Sequence, residues 1–221
     1  MAGPTTRMQD VVRILMLIDK AAEPTTPSDL ADDSALESAV GVVRSQVRLQ
    51  KLDFWVRNPD YLAMELLNDY ELHHDQTLFE MAAEILDSEE PELRRYPMLR
   101  YLFGAYEDLE DALSVLRQAD LVVRRKKGRI GHITRTDYFL LGTGRELAAK
   151  IASDYADLGW YSARAALVVA LSDGQGATQL KDRQYIVEEY LETPHGMRIP
   201  SIAQKARERL DFIRRTREEN N

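Results

Sequence analysis

Apolar residues recur at helical spacing along most of the chain. The first such stretch predicts a helix over about 7–22, with its apolar residues at three- and four-residue steps: Met8, Val11, Val12, Leu15 and Ile18. After the prolines at 24 and 27, a second stripe predicts a long helix over about 35–57, formed by Leu36, Val40, Val43, Val47 and Phe54. A stripe widened further by Leu49, Leu52 and Val56 indicates burial on two sides.

Further helices are predicted on both sides of residues 121–141. Apolar spacing favours helices over about 60–70, 75–90 and 107–118, and again over 160–171, 181–191 and from Ile199 onward. Pro97 breaks the segment between the second and third of these. The class predicted from this pattern is mainly α.

The apolar period changes from about 3.6 to 2 after residue 121. Val122 and Val123 begin one short β-branched run, and the stretch DYFLL at 137–141 forms another. Gly128 and Gly131 lie between them and supply turn residues. The pattern predicts a two-stranded β-hairpin in an otherwise helical chain.

The turn region of this hairpin is strongly basic, although the chain as a whole is acidic. The formal net charge is -8, yet residues 124–135 contain six Lys or Arg and no Asp or Glu. Local cations can still contact a phosphate backbone, because charges farther away than about 8 Å are largely screened at physiological salt. The basic cluster therefore makes nucleic acid a candidate partner.

The stretches LRQADLVVRR and YFLLGTGREL resemble the exit of the recognition helix, the wing and the closing helix of MarR- and PadR-type bacterial regulators. In those families the second wing strand ends in Tyr-x-Leu-Thr-x-x-Gly. Tyr138, Leu140 and Gly144 match this pattern, while Leu141 stands where Thr is usual. Ala119 and Asp120 replace the common glycine before the first strand. The resemblance covers about residues 76–155.

The resemblance implies a winged-helix domain with a small β-hairpin wing, plus N- and C-terminal helical segments. It makes 124–135 the wing and 107–118 the recognition helix, and it implies a DNA-binding transcription regulator. Wing cations would contact phosphates. Six such contacts predict that the logarithm of the DNA-binding constant K falls with the logarithm of salt concentration with a slope of about -5. Arg117 and Gln118 are the best base readers. The DNA-binding residues predicted are Arg117, Gln118, Arg124, Arg125, Lys126, Lys127, Arg129 and Arg135.

Acidic residues on the predicted recognition helix favour a different function. Its outward positions include Glu107, Glu110 and Asp111, which would meet the phosphates of a major groove. Winged helices also serve as docking modules. The alternative is therefore a protein–protein interaction module in a larger complex that does not contact DNA directly, with the acidic helix facing a basic partner.

Residues 7–57 allow two interpretations. They form either a second helix-turn-helix unit, with cations exposed toward DNA (Arg44, Arg48, Lys51 and Arg57), or a helical scaffold that packs or dimerises. A homodimer is expected, because such proteins span paired half-sites. The helices over 35–57 and from Ile199 are the candidates for its interface.

The predicted organisation has three parts: an N-terminal helical segment over 1–72, the winged-helix domain over 75–158 and a C-terminal helical segment over 159–221. The chain has no cysteine and no apolar run of membrane-spanning length, and it starts without a secretory signal. A cytoplasmic protein is expected. No spacing suggests a catalytic site, a metal site or a cofactor, so we expect a protein that is not an enzyme.

Overall fold

The computed structural model describes residues 6–31, 33–101, 104–129, 131–172 and 177–219. Its helices are α1 (Arg7–Ala21), α2 (Pro27–Leu30), α3 (Gln46–Arg57), α4 (Pro59–His73), α5 (Gln76–Asp87), α6 (Glu90–Leu93), α7 (Glu110–Gln118), α8 (Gly142–Asp154), α9 (Ala156–Ser172), α10 (Ala177–Tyr185), α11 (Glu188–Glu192) and α12 (Ala203–Glu219). Its strands are β1 (Ala39–Arg44), β2 (Leu99–Tyr101), β3 (Gly104–Tyr106), β4 (Val122–Arg129) and β5 (His132–Leu141). The prediction of a mainly α protein is confirmed.

The chain divides into two compact units, each built from separate stretches of sequence. The sheet unit contains Thr5–Asp53 and Glu107–Leu180, and the helical unit contains Phe54–Tyr106 and Lys181–Asn221. These units do not coincide with the three segments predicted from the sequence. Residues 75–106 fall in the helical unit, whereas 107–158, the rest of the predicted middle segment, fall in the sheet unit.

Helix α1 is the centre of the sheet unit. Its first turn is fixed by a capping box, in which the Gln9 amide donates to the Thr6 hydroxyl and the Thr6 amide donates to the Gln9 side chain. Residues 14–18 are almost completely buried, because α7, α8 and α9 all pack against this helix. The predicted helix over 7–22 is confirmed.

The long helix predicted over 35–57 is wrong. Residues 34–36 form a single 3-10 turn, 39–44 form strand β1, and only 46–57 are α-helical. β-Branched Val42 and Val43 favour a pleated strand, and Ser45 adopts a positive φ of 79° that separates strand from helix. Strand β1 pairs with β5, which gives a three-stranded antiparallel sheet of order β1-β5-β4 rather than an isolated hairpin.

Helix α8 packs closely behind this sheet at Gly144. A Cβ atom at Gly144 would lie 2.4 Å from the carbonyl oxygen of Leu121, a distance that no side chain can accept. The glycine is therefore required by the approach of α8 to the start of β4. This gives a physical reason for Gly144, one of the residues that carry the resemblance to the MarR- and PadR-type regulators.

The helical unit is stabilised by apolar packing and by hydrogen bonds from the start of α12 to Asp60. Phe54, Tyr61 and Tyr190 form an edge-to-face cluster with ring centroids 5.0–6.3 Å apart. The buried carboxylate of Asp60 accepts hydrogen bonds from the Ser201 hydroxyl and the Ile202 amide, both at 2.8 Å, and so fixes the start of α12.

The apolar face of α12 is covered within its own chain. Ile202, Ala206, Leu210 and Ile213 are buried, and α12 packs against α4 and α5. This face is not free to form a dimer interface, and the other candidate interface, the long helix, does not exist. The homodimer stays a prediction without an assigned surface.

Candidate nucleic-acid interface

Strands β4 and β5 form the predicted basic hairpin. Their pairing runs from Val122 opposite Leu140 to Arg129 opposite His132, with a register shift after Lys127. Gly128 and Gly131 adopt φ angles of 132° and 81°, which a side chain would disfavour. The base of the hairpin is buried and its described tip is exposed, so the ribbon extends away from the helices. Ile130 at the turn lies outside the described residues.

Successive side chains of β4 point to opposite sides of the sheet. Arg124 and Lys126 lie on the side of helix α7, which packs against β4. Arg125 and Lys127 lie on the other side, where Val123 packs near Leu36, Val42 and Phe139. We call these sides the α7 face and the opposite face. The predicted cations are thus divided between two surfaces.

Cations of the opposite face are paired with carboxylates of the same chain. Arg125 Nη2 donates to Asp33 Oδ1 at 2.9 Å, and Arg135 Nε lies 2.8 Å from Asp137 Oδ1. Lys127 Nζ lies 3.8 Å from Asp137 and 4.0 Å from Asp29. The predicted contact of these three cations with phosphate would have to compete with these pairs.

The acids of the opposite face are strongly biased toward their charged form. A hydrogen bond from Arg125 holds the pKa of Asp33 below its ordinary value. Hydrogen bonds from the Arg44 side chain, at 2.8 and 3.0 Å, and from the Thr26 amide do the same for the pKa of Asp29. Both carboxylates are ionised at neutral pH, so this face is close to electrically balanced.

The α7 face has more unpaired positive charge than the opposite face. Lys126 on this face and Arg129 at the exposed tip have no ion-pair partner among the residues that the structure describes. Arg117 on α7 is exposed, and its Nη1 lies 3.7 Å from Glu110. Arg124 Nη1 lies 2.6 Å from the same carboxylate. Arg117 and Arg124 therefore share one carboxylate, that of Glu110.

Helix α7 exposes the side that the sequence predicted. Leu109, Ala112, Leu113 and Leu116 are buried, as expected from their spacing. Arg117 and Gln118, the predicted base readers, are exposed near the end of the helix, and Ser114 is half-buried. The helix itself begins at Glu110, so Glu107 and Asp108 belong to the preceding loop.

Two groups on the α7 face were missed as site residues by sequence reasoning. Glu110 was noted only as an unfavourable charge, whereas it pairs with Arg124. Tyr138 lies opposite Arg124 in the strand register, and its hydroxyl is buried without a hydrogen-bond partner among the described residues. Strand alternation applied to residues 122–140 could have placed Tyr138 beside Arg124.

The cations of residues 44–57 do not form a second surface for DNA. Arg48, Lys51 and Arg57 are buried, and Arg44 is bound to Asp29. Their exposure was expected in only one of the two interpretations of residues 7–57, the helix-turn-helix unit, in which 35–57 was taken as one helix. Strand β1 and the position of α3 in the core remove that possibility.

No known protein family, curated protein or solved structure matches this chain. Within the described ranges, no cluster of three or more His, Asp or Glu side chains is arranged to hold a metal ion. In the same residues, no helix is both long enough and apolar enough to cross a membrane.

Proposed function

We propose that the sheet unit is a winged-helix domain that binds duplex DNA and acts in transcription regulation. The order α1, β1, α3, α7, β4, β5 supports this, with the hairpin as the wing and α7 as the recognition helix. Residues 54–106 are then an insertion between the second and third helices of the domain. A hydrogen bond from Gln50 Nε2 to the Glu107 carbonyl, at 2.8 Å, joins α3 to the segment before α7 across this insertion.

The observation that carries the proposal is the grouping of cations on the α7 face. Arg124 and Lys126 lie on the side of the ribbon that faces the recognition helix, Arg117 lies on that helix, and Arg129 lies at the exposed tip. A winged helix that inserts α7 into a major groove brings this side of the wing beside the phosphates. Gln118 and Ser114 then lie nearest the base edges, and Arg117 lies beside Arg124 of the wing.

The salt dependence of binding tests this assignment. We expect a slope of log K against log salt of about -2.7, since three phosphate contacts of the wing, at Arg124, Lys126 and Arg129, each contribute roughly 0.9. This is shallower than the slope expected if all six hairpin cations bound phosphate. Fluorescence anisotropy of a labelled duplex of mixed sequence, between about 50 and 200 mM salt, measures it. Absence of binding at the lowest salt would contradict the proposal.

A second candidate is a docking module for a basic protein. Its support is the exposed acidic start of α7, where Asp108, Glu110 and Asp111 follow one another closely. These charges repel a phosphate backbone but complement a cationic surface. A stoichiometric protein partner that co-purifies with a chain unable to bind duplex DNA would favour this function.

A further inference from the structure

Glu110 holds the centre of a small polar cluster on the α7 face. Its two carboxylate oxygens accept from Arg124 Nη1 at 2.6 and 2.8 Å, while Arg117 Nη1 lies 3.7 Å away. All three side chains are at least partly exposed. The two arginines converge on one position on the surface, and a carboxylate of the same chain lies there.

The carboxylate does not satisfy all donors around it. At 3.7 Å the contact with Arg117 is longer than a hydrogen bond. Tyr138 lies opposite Arg124 in the strand register, and its hydroxyl is buried without a hydrogen-bond partner among the described residues. Burial raises the pKa of Tyr138 to about 12. The positive charges of Arg124 and Arg117 lower this pKa, and the negative charge of Glu110 raises it. The hydroxyl therefore stays protonated and can donate at neutral pH.

A buried hydroxyl without an acceptor is costly and uncommon, so its presence calls for a reason. A phosphodiester has two charged oxygens, as a carboxylate has, but they are held tetrahedrally on phosphorus and the group is not tethered to α7. It can therefore take a position in which it accepts from two guanidinium groups and a hydroxyl together, whereas among the described residues the Glu110 side chain accepts hydrogen bonds only from Arg124.

We propose that Arg117, Arg124 and Tyr138 form a binding site for one phosphate group of the DNA backbone, and that the Glu110 carboxylate occupies this site in the unbound protein. The inference rests on the proposed function, because the ligand is a phosphodiester of duplex DNA. Glu110 then weakens binding, since it must leave Arg124 before the phosphate enters. The side chain of Glu110 is half exposed, which gives it room to move into solvent.

The cluster predicts opposite effects for two conservative substitutions. Glu110→Gln removes the competing charge and tightens duplex binding about fivefold, the upper range for an exposed ion pair. Tyr138→Phe removes a donor to a charged acceptor and weakens binding about tenfold. Because the hydroxyl has no hydrogen-bond partner among the described residues, Tyr138→Phe leaves the thermal midpoint unchanged or raises it.

Asp111→Asn is the matched control for Glu110→Gln. Asp111 is the next residue of α7, is exposed, and has no ion-pair partner among the residues described. Its substitution changes the net charge by the same amount without touching Arg117 or Arg124. Duplex affinity is measured by anisotropy at one low salt concentration for the full-length wild type, the three single variants and Glu110→Gln/Tyr138→Phe.

The expected result is a gain for Glu110→Gln that clearly exceeds the gain for Asp111→Asn, and a loss for Tyr138→Phe in both backgrounds. Equal gains for the two acid variants, or a Tyr138→Phe protein that binds like wild type, would overturn the phosphate site while wild-type binding upheld the proposed function. If neither wild type nor any variant bound the duplex, both proposals would fail together.

Discussion

Replacing Arg124 and Lys126 together with glutamine is expected to lower the affinity for duplex DNA about 20-fold near 0.1 M salt. Replacing Arg125 and Lys127 together is expected to change it by less than about threefold. Both pairs lie on β4 and both double variants remove two positive charges. The first pair lies on the α7 face, however, and the second lies on the opposite face beside Asp29 and Asp33.

The physical reason is the difference in available charge. A cation that releases counterions from DNA contributes about tenfold in affinity near 0.1 M salt. A cation already bound to a carboxylate must first give up that partner and leaves a negative charge behind. This holds for both Arg125 and Lys127. It also holds for Arg124, whose contribution Glu110 reduces about fivefold, but Lys126 has no ion-pair partner among the described residues. Anisotropy titrations of the two double variants, with circular dichroism to confirm folding, make the comparison. Equal losses would mean that only the total charge of the hairpin matters.

Asp53→Ala is expected to lower the free energy of unfolding of the sheet unit by about 3–5 kcal/mol. Arg13 Nε lies 2.8 Å from Asp53 Oδ1, and the side chains of Arg13 and Asp53 are 3% and 0% exposed. Burial lowers the pKa of Arg13, but the charges of Asp53 and then Asp10 outweigh it and raise the pKa above its ordinary value. Removal of Asp53 takes away the larger of these two charge effects, yet an arginine side chain does not lose its proton in proteins, so a buried positive charge is left with less compensation.

Asp10→Ala is the control, because Asp10 pairs with the same arginine from a more exposed position. A third of the Asp10 side chain is exposed, so we expect Asp10→Ala to lower the free energy of unfolding by about 1 kcal/mol or less. Urea unfolding followed by circular dichroism gives both values. Equal destabilisation by the two substitutions would show that burial of the Arg13–Asp53 pair does not determine its importance.

Local patterns in the sequence predicted the elements that depend on near neighbours. Helix α1, the buried side of α7 and the basic hairpin all follow from apolar spacing over at most twenty residues. Strand β1 was missed because Val40 and Val43 fit a helical stripe with Leu36 and Val47, although β-branched residues also favour a strand. Its pairing with β5, far along the chain, decides between the two.

Long-range partners explain what the sequence could not provide for the site. The basic residues 124–135 were counted as one charge cluster, but Asp33 and Arg125, which pair, are 92 positions apart. The division of the chain has the same origin, because residues 54–106 leave the sheet unit and the chain returns to it at Glu107. Apolar spacing over a few turns of sequence contains no information about a carboxylate 92 positions away or about an inserted unit, so neither could be predicted from it.

The central claim is that duplex DNA lies against the α7 face, and thiol protection tests it most directly. The chain has no cysteine, so Ser114→Cys on α7 and Ser34→Cys beside Asp33 each introduce a single thiol. The rate of reaction with a maleimide is measured with and without saturating duplex. We predict that DNA slows the reaction at position 114 and leaves position 34 unchanged. Protection at position 34 alone, or equal rates at both positions with and without DNA, would contradict the account.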